Sequence, residues 1–302
     1  MQHKTYCWLL AILLLAACSK KDDLSGIEDI SGLGGDTWTQ TQLDTWLYDT
    51  LVVPYNIEVR YKWDQFEFEL DKTLVPPDES MVIPSMEAVK KVWIDTYVAE
   101  AGSTFFIRYS PKFIILCGSA SWNTESGTVT LGTAEGGRKI VLYNINNFRT
   151  KESDGYQPSD SENVKQIFHV IEHEFGHILH QNILYPATWK DISTGHYTSN
   201  WNNVSDADAN REGFISAYAM SGYDDDFVET ISLMLVNGKA GFDNLVNSIP
   251  EGTTTSGMTQ AQAQAALRAK ETAVVNYFKS AWNMDFYSLQ TRTRTAVEQL
   301  LY

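Results

Sequence analysis

Four histidines fall within fifteen residues of this chain, in the stretch FHVIEHEFGHILHQN from Phe168 to Asn182. Two of them, His173 and His177, are four positions apart. Residues at that spacing lie one above the other on a helix face, so both imidazoles can reach a single zinc ion at about 2.0–2.1 Å. Glu174 stands beside the first histidine, where its carboxylate can take a proton from an attacking water; that is the general-base step of a hydrolysis. His169 is one turn earlier on the same face and His180 is three residues after His177. Both read as supporting or surface groups, because two helical ligands and a distant third complete the usual protein set of a catalytic zinc. Gly176, inside the helix, costs up to about 1 kcal/mol. The compensation expected is close approach of another backbone or of substrate.

The third ligand has to come from elsewhere. His180 and Ile183 occupy the positions where a metzincin pattern requires Gly and His. The segment STGHYTSNWNN, where a thermolysin-type glutamate would stand, contains no acid, and no Gly-Thr-x-Asp motif is present. What remains is a more distant acidic segment, and Tyr218 to Glu229 reads YAMSGYDDDFVE. Asp224 suits the start of a helix near its positive dipole end. Asp225, Asp226 and Glu229 are the candidate ligands, and spacing alone leaves the choice among them open.

The elements that must position these groups can be read from periodicity. Thr41–Leu51 has helical spacing and Tyr55–Trp63 alternates like a half-buried strand. The stretch Pro84–Glu100 predicts an amphipathic helix with Val89, Val92, Trp93 and Tyr97 inward. Strands are predicted at Phe105–Tyr109, Phe113–Cys117, Thr128–Leu131 and Lys139–Tyr143, with Gly-rich turns between them. After a polar loop, the histidine helix runs from Asn163 to about Leu184, with Pro186 as its stop. An irregular loop, Ala187–Glu212, precedes helices at Gly213–Met220, Asp224–Gly238, Thr259–Trp282 and Asp285–Leu300. Strands first and helices after predict an α+β fold: a mixed sheet, the histidine helix, then a mostly helical C-terminal part.

The N-terminus reads as an export signal. Residues 1–17 hold a basic start and an uncharged run too short to span a bilayer. Leu15-Ala16-Ala17-Cys18 resembles the lipobox of bacterial lipoproteins, which implies a lipid anchor on Cys18. Residues 18–37, rich in Ser, Gly and Asp, form a flexible tether, and 38–302 a single domain. Lys20-Lys21-Asp22-Asp23 resembles an address for the outer face of the outer membrane, with a periplasmic location the other expectation. A composition of 43% hydrophobic and 20% charged residues describes a globular protein. The formal charge of -15 argues against nucleic acid as a partner. Of three cysteines, Cys7 lies in the signal and Cys18 at the lipobox, so an internal disulfide framework is excluded. Cys117, in FIILCGSA, reads as a buried strand residue.

The HEFGH helix followed by the Tyr218–Glu229 segment resembles the substrate import-associated zinc metallohydrolase lipoproteins of Bacteroides-type bacteria. There, Tyr-Ala, five residues and Glu-Asp-Phe-Ala-Glu follow the helix. The layout is also similar to the catalytic domain of anthrax lethal factor. The resemblance extends through the C-terminal run from Ala266 to Leu301. It implies a zincin-like metallopeptidase fold, one catalytic Zn2+, and a peptide or protein substrate. It further implies partnership with an outer-membrane nutrient import system. Residue by residue, it places the third ligand at Asp225, an oxyanion-stabilising hydroxyl at Tyr218, and a support for a ligand histidine at Glu229. Asp225 and Glu229 are four apart on one helix face, which suits those two roles. The departure is Asp at 225 where the family has Glu: one methylene shorter, it requires a closer helix or a substitute, for which Asp226 and Glu229 are the fallbacks. That departure also sustains a second expectation, a non-catalytic zinc-containing accessory lipoprotein of the import complex.

Overall fold

The computed structural model describes residues 39–69, 72–122, 129–130, 132–135 and 138–302. The signal segment, the lipobox cysteine and the tether through residue 37 lie outside the described residues. The chain divides into two units, Met1–Thr41 and Gln42–Tyr302, and the second holds every helix and strand of the described residues.

Helix α1 (Gln42–Leu47) continues through Tyr48–Val52 and Val53–Tyr55 into strand β1 (Glu58–Arg60). Helix α2 (Glu79–Val89) passes through a wide turn at Lys90–Ile94 into α3 (Asp95–Ala101). It begins five residues before Pro84, whose missing N–H deprives only the carbonyl of exposed Ser80. Val89, Val92, Trp93 and Tyr97 are all buried, as the periodicity predicts. Strands β2 (Phe113–Leu116), β3 (Ser121–Trp122), β4 (Val129–Thr130), β5 (Gly132–Glu135) and β6 (Lys139–Leu142) follow. Among the described residues β1, β2 and β6 pair in parallel, and β5 closes the sheet antiparallel to β6 in the order β1-β2-β6-β5. The Gly-rich linker expected between strands thus contains β5 itself.

Phe105–Tyr109 is a correction: it lies in a helix, α4 (Ser103–Tyr109), where a strand is expected. Gly102, at φ 85°, breaks α3 and lets a new helix start at once. Helical spacing then carries Phe105 and Tyr109, four apart, onto Trp282 at ring distances of 5.4 and 4.9 Å. Phe106 meets Trp93 and Phe175 at 4.8 and 6.0 Å. A short apolar run has no periodicity of its own, and packing decided it.

The histidine helix α5 spans Asp160–Asn182. Beyond it lie α6 (Trp189–Ile192) and α7 (Asp206–Arg211), so the expected irregular loop carries short helices. The helix predicted at Gly213–Met220 is absent apart from a single 3-10 turn at Tyr218–Ser221. Its carbonyls are bonded elsewhere: Asn210 Nδ2 donates to Phe214 and Ile215, and Lys270 Nζ to Gly213. Gly213 at φ 80° and the Ala217 N–H, which donates to Asp206 Oδ1, also leave the helical ladder. Helices α8 (Tyr223–Ser248, broken at Gly238), α9 (Gln260–Trp282) and α10 (Phe286–Leu301) complete the chain. Thr259 and Asp285 cap the last two through side-chain oxygens. The whole is mixed α and β, mostly helical, with a small and largely parallel sheet.

The core is joined through Phe175, which meets Trp93 at 5.3 Å and Tyr97 at 4.9 Å, both edge to face. Cys117 follows β2, buried and free, its thiol donating to the Val75 carbonyl at 3.4 Å. Glu172 is fully buried on the core side of α5, where Tyr97 donates to its Oε2 at 2.8 Å and its Oε1 has no partner among the described residues. Burial pushes this carboxyl up to about 8, the Tyr97 hydrogen bond opposing only in part. The folded protein therefore keeps a proton that the unfolded chain releases near its ordinary 4.5. Stability from this group is fully present below that pH and falls as pH rises toward 8, by at most about 1.4 kcal/mol per unit. Glu172→Gln is expected to flatten that slope; urea unfolding of both proteins at mildly acidic and mildly alkaline pH measures it, and an unchanged slope would contradict a buried neutral carboxyl.

Candidate metal centre

Helix α5 presents His173 and His177 on one face with their Nε2 atoms 3.2 Å apart. Crossing it is the first half of α8, and the contact point is Gly176. A methyl group there would sit 3.0 Å from Val228 Cγ1 and 3.1 Å from Val228 Cβ, tight enough that the valine would have to shift to admit it. The approach brings Asp225, one turn before Val228, to His177: Oδ1 lies 3.4 Å from Nε2. At this helix crossing the aspartate side chain is long enough to reach His177. Ligand atoms of His173, His177 and Asp225 all lie within 4.8 Å of one another.

Hydrogen-bond accounting tests whether these residues fit a metal. His173 Nδ1 is 2.9 Å from Glu229 Oε1, and burial of that carboxyl is outweighed by His169 and His173, which hold it well below the ordinary range. Glu229 is therefore an acceptor, His173 Nδ1 carries the proton, and His173 Nε2 offers a lone pair. His177 Nδ1 lies 3.0 Å from His180 Nε2, leaving its own Nε2 turned to the same point. Two imidazole lone pairs and a carboxylate oxygen at this spacing repel one another unless a proton or a metal cation lies among them. Two nitrogens and one oxygen form a donor set that suits zinc.

A second group of ligand atoms, His169, His173 and Glu229, is held together by protons instead. His169 Nε2 lies 3.0 Å from Glu229 Oε1, and its Nδ1 lies 3.0 Å from Ser232 Oγ. The Ser232 hydroxyl donates to the Glu229 carbonyl, so it accepts from His169, which is a donor at both nitrogens. Consistently, burial would lower His169, but Glu229 outweighs it and raises the imidazole above its usual value. Ser216 donates to the other Glu229 oxygen. Glu229 is thereby an orienting group behind His173.

Of the remaining acids, Asp226 is not at the centre. It is fully buried with Lys270, which sits 2.8 Å from its Oδ1, and Tyr197 donates to Oδ2 at 2.9 Å. Both oxygens being committed, it is a correction to the set of fallback ligands. Asp224 accepts from Tyr185. Asp225 accepts from Ser221 at 2.7 Å. Burial would raise its carboxyl, but the nearby His177 and the Ser221 hydroxyl hold it below the ordinary range.

Glu174 is half-buried beside the ligand pair, and burial raises its carboxyl while His173 and His177 pull it down. The Tyr218 ring stacks on His173 at 5.6 Å, packs against Trp201 at 4.8 Å, and keeps 38% of its surface exposed. Burial, then Asp225, Glu229 and Glu174, raise its hydroxyl, which stays protonated as a donor. Sequence spacing alone did not reveal Ser216, Ser221 or Ser232; the first two precede α8 and Ser232 lies within it. His180 had a signal, its three-residue spacing from His177.

A mostly helical fold on a small sheet, with two helical histidines facing an aspartate, places the protein among metallopeptidase-type folds. It belongs to the family described as "Putative zinc-binding metallo-peptidase", whose profile matches residues 36–287. The chain is similar to the crystal structure of a "putative zinc-binding metallo-peptidase" from Bacteroides caccae, at 30% identity and a TM-score of 0.67. The match covers 85% of this chain and 92% of that one. No curated protein matches.

Two substitutions test the geometry. Gly176→Ala gains about 1 kcal/mol of helix propensity but overpacks against Val228 at a cost of about 1–3 kcal/mol. A lower unfolding midpoint and weaker zinc binding are expected, and unchanged zinc affinity would show that helix separation does not set the reach of Asp225. Lys270→Met leaves Asp226 charged and unpaired in the core, a loss of about 3–5 kcal/mol in urea unfolding; a loss under about 1 kcal/mol would contradict a buried ion pair.

Proposed function

We propose that the chain is a zinc-dependent hydrolase acting on peptide bonds, with a zincin-like fold and one zinc held by His173, His177 and Asp225. The observation that carries this is the convergence of three acceptor atoms, each backed by a hydrogen-bond partner, beside a half-buried glutamate. When bound, zinc supplies Lewis-acid activation of water and of the scissile carbonyl. Glu174 takes the proton of the attacking water and passes it to the leaving amine. Its raised basicity, the balance of burial against two imidazoles, suits both halves of that transfer. Tyr218 remains protonated and donates to the developing oxyanion. Glu229 and Ser216 keep His173 in the tautomer that presents Nε2.

The partly exposed Glu174, His177 and Tyr218 favour a site open to substrate over a closed structural metal. On the lipobox and the charges behind it, the mature protein is lipid-anchored through Cys18 in the outer membrane, facing the cell surface, and works beside a nutrient import system. Lethal factor shares the proposed arrangement of ligand helix, tyrosine and acidic helix.

Metal analysis of the purified protein is expected to give one zinc per chain. Incubation with a peptide library should show cleavage that falls by about 10²–10⁴-fold in Glu174→Gln, with zinc content unchanged. Cleavage undiminished in that variant would remove Glu174 from the mechanism, and native protein that binds zinc without cleaving any peptide would favour the accessory role.

A further inference from the structure

We infer that His180 is a positioning residue for the metal: its neutral imidazole accepts the Nδ1 proton of His177 and thereby fixes the ring that presents Nε2 to the ion. This rests on the ligand set proposed above. Among the described residues, the three proposed ligands are supported differently. His173 has a carboxylate behind it, Asp225 a serine hydroxyl, and His177 another histidine.

The protons can be followed atom by atom. His177 Nε2 faces His173 Nε2 and Asp225, so a metal-binding His177 carries its proton on Nδ1. That nitrogen is 3.0 Å from His180 Nε2, which must then be the acceptor. A neutral His180 that accepts at Nε2 holds its own proton on Nδ1. Nδ1 is buried and has no partner among the described residues. An unpaired buried donor is unfavourable, yet the other tautomer would set two N–H groups against each other at 3.0 Å. The ring is 2% exposed and enclosed by Tyr185 and Phe227 at 5.6 and 6.2 Å, so it cannot turn to water to relieve the conflict. The neutral partner also makes His177 a less basic ligand than His173, whose proton leans on an anion.

The test compares zinc affinity, by competition with a chromophoric chelator, in the native protein, His180→Leu and His180→Gln. Leucine fills the space without an acceptor and should weaken zinc binding by about 10–100-fold. Glutamine restores an acceptor oxygen and should recover at least half of that loss on a logarithmic scale. Leucine binding zinc as the native protein does, or glutamine as weak as leucine, would overturn the inference. Native protein that binds no zinc would instead overturn the ligand set on which it rests. Should the variants fail to fold, nitrogen-15 spectra of the histidines in zinc-loaded native protein decide: His180 is expected as the Nδ1–H tautomer, and the Nε2–H tautomer would refute the assignment.

Discussion

The contact between Gly176 and Val228 sets the distance on which the centre depends. An aspartate has one methylene less than a glutamate, and Asp225 stands one turn from the point where the two helices touch. A Cβ at 176 would lie only 3.0 Å from Val228 Cγ1, so that side chain would have to give way within the crossing that carries Asp225. Glycine within a helix is unfavourable locally; here the cost is offset by a crossing close enough to bring Oδ1 within 3.4 Å of His177.

Around that crossing, charge and protons are distributed so that each proposed ligand can face the same point with a lone pair. Glu229, ionised by His169 and His173, fixes one imidazole. His180 fixes the other. Asp226 serves the same end from beneath, since its pairing with Lys270 and Tyr197 ties the first turn of α8 to α9 and to the loop before α7. Buried ion pairs contribute little net stability as a rule, because desolvation consumes the attraction. Their use here is to hold a helix start in register, so that Asp225 rather than its neighbour points at the histidines.

The sequence errors have a common cause. Phe105–Tyr109 is an apolar run without a period, and only its fit against Trp93, Phe175 and Trp282 made it helical. Gly213–Met220 has helical-looking composition, but side chains from Asn210 and Lys270 took its carbonyls. The long helices were legible because a sustained 3.6-residue period over several turns has one interpretation, and because Thr259 and Asp285 mark two of their starts. Where a segment is short, partners distant in sequence decide, and those cannot be seen in the segment itself.

The chemistry divides in the same way. That His173 and His177 share one helix face, with Glu174 beside them, was legible in sequence alone, since a helix converts a spacing of four into one face without help from the rest of the chain. The identity of the facing acid was not: Asp225, Asp226 and Glu229 are within five positions, and any of them can bind a cation. Tertiary structure separated them by what lies opposite each one, Lys270 for Asp226, two imidazole N–H groups for Glu229, and the shared Nε2 face for Asp225. A helix turns by about 100° per residue, so adjacent acids meet different surroundings, and those surroundings come from elements far away in the chain.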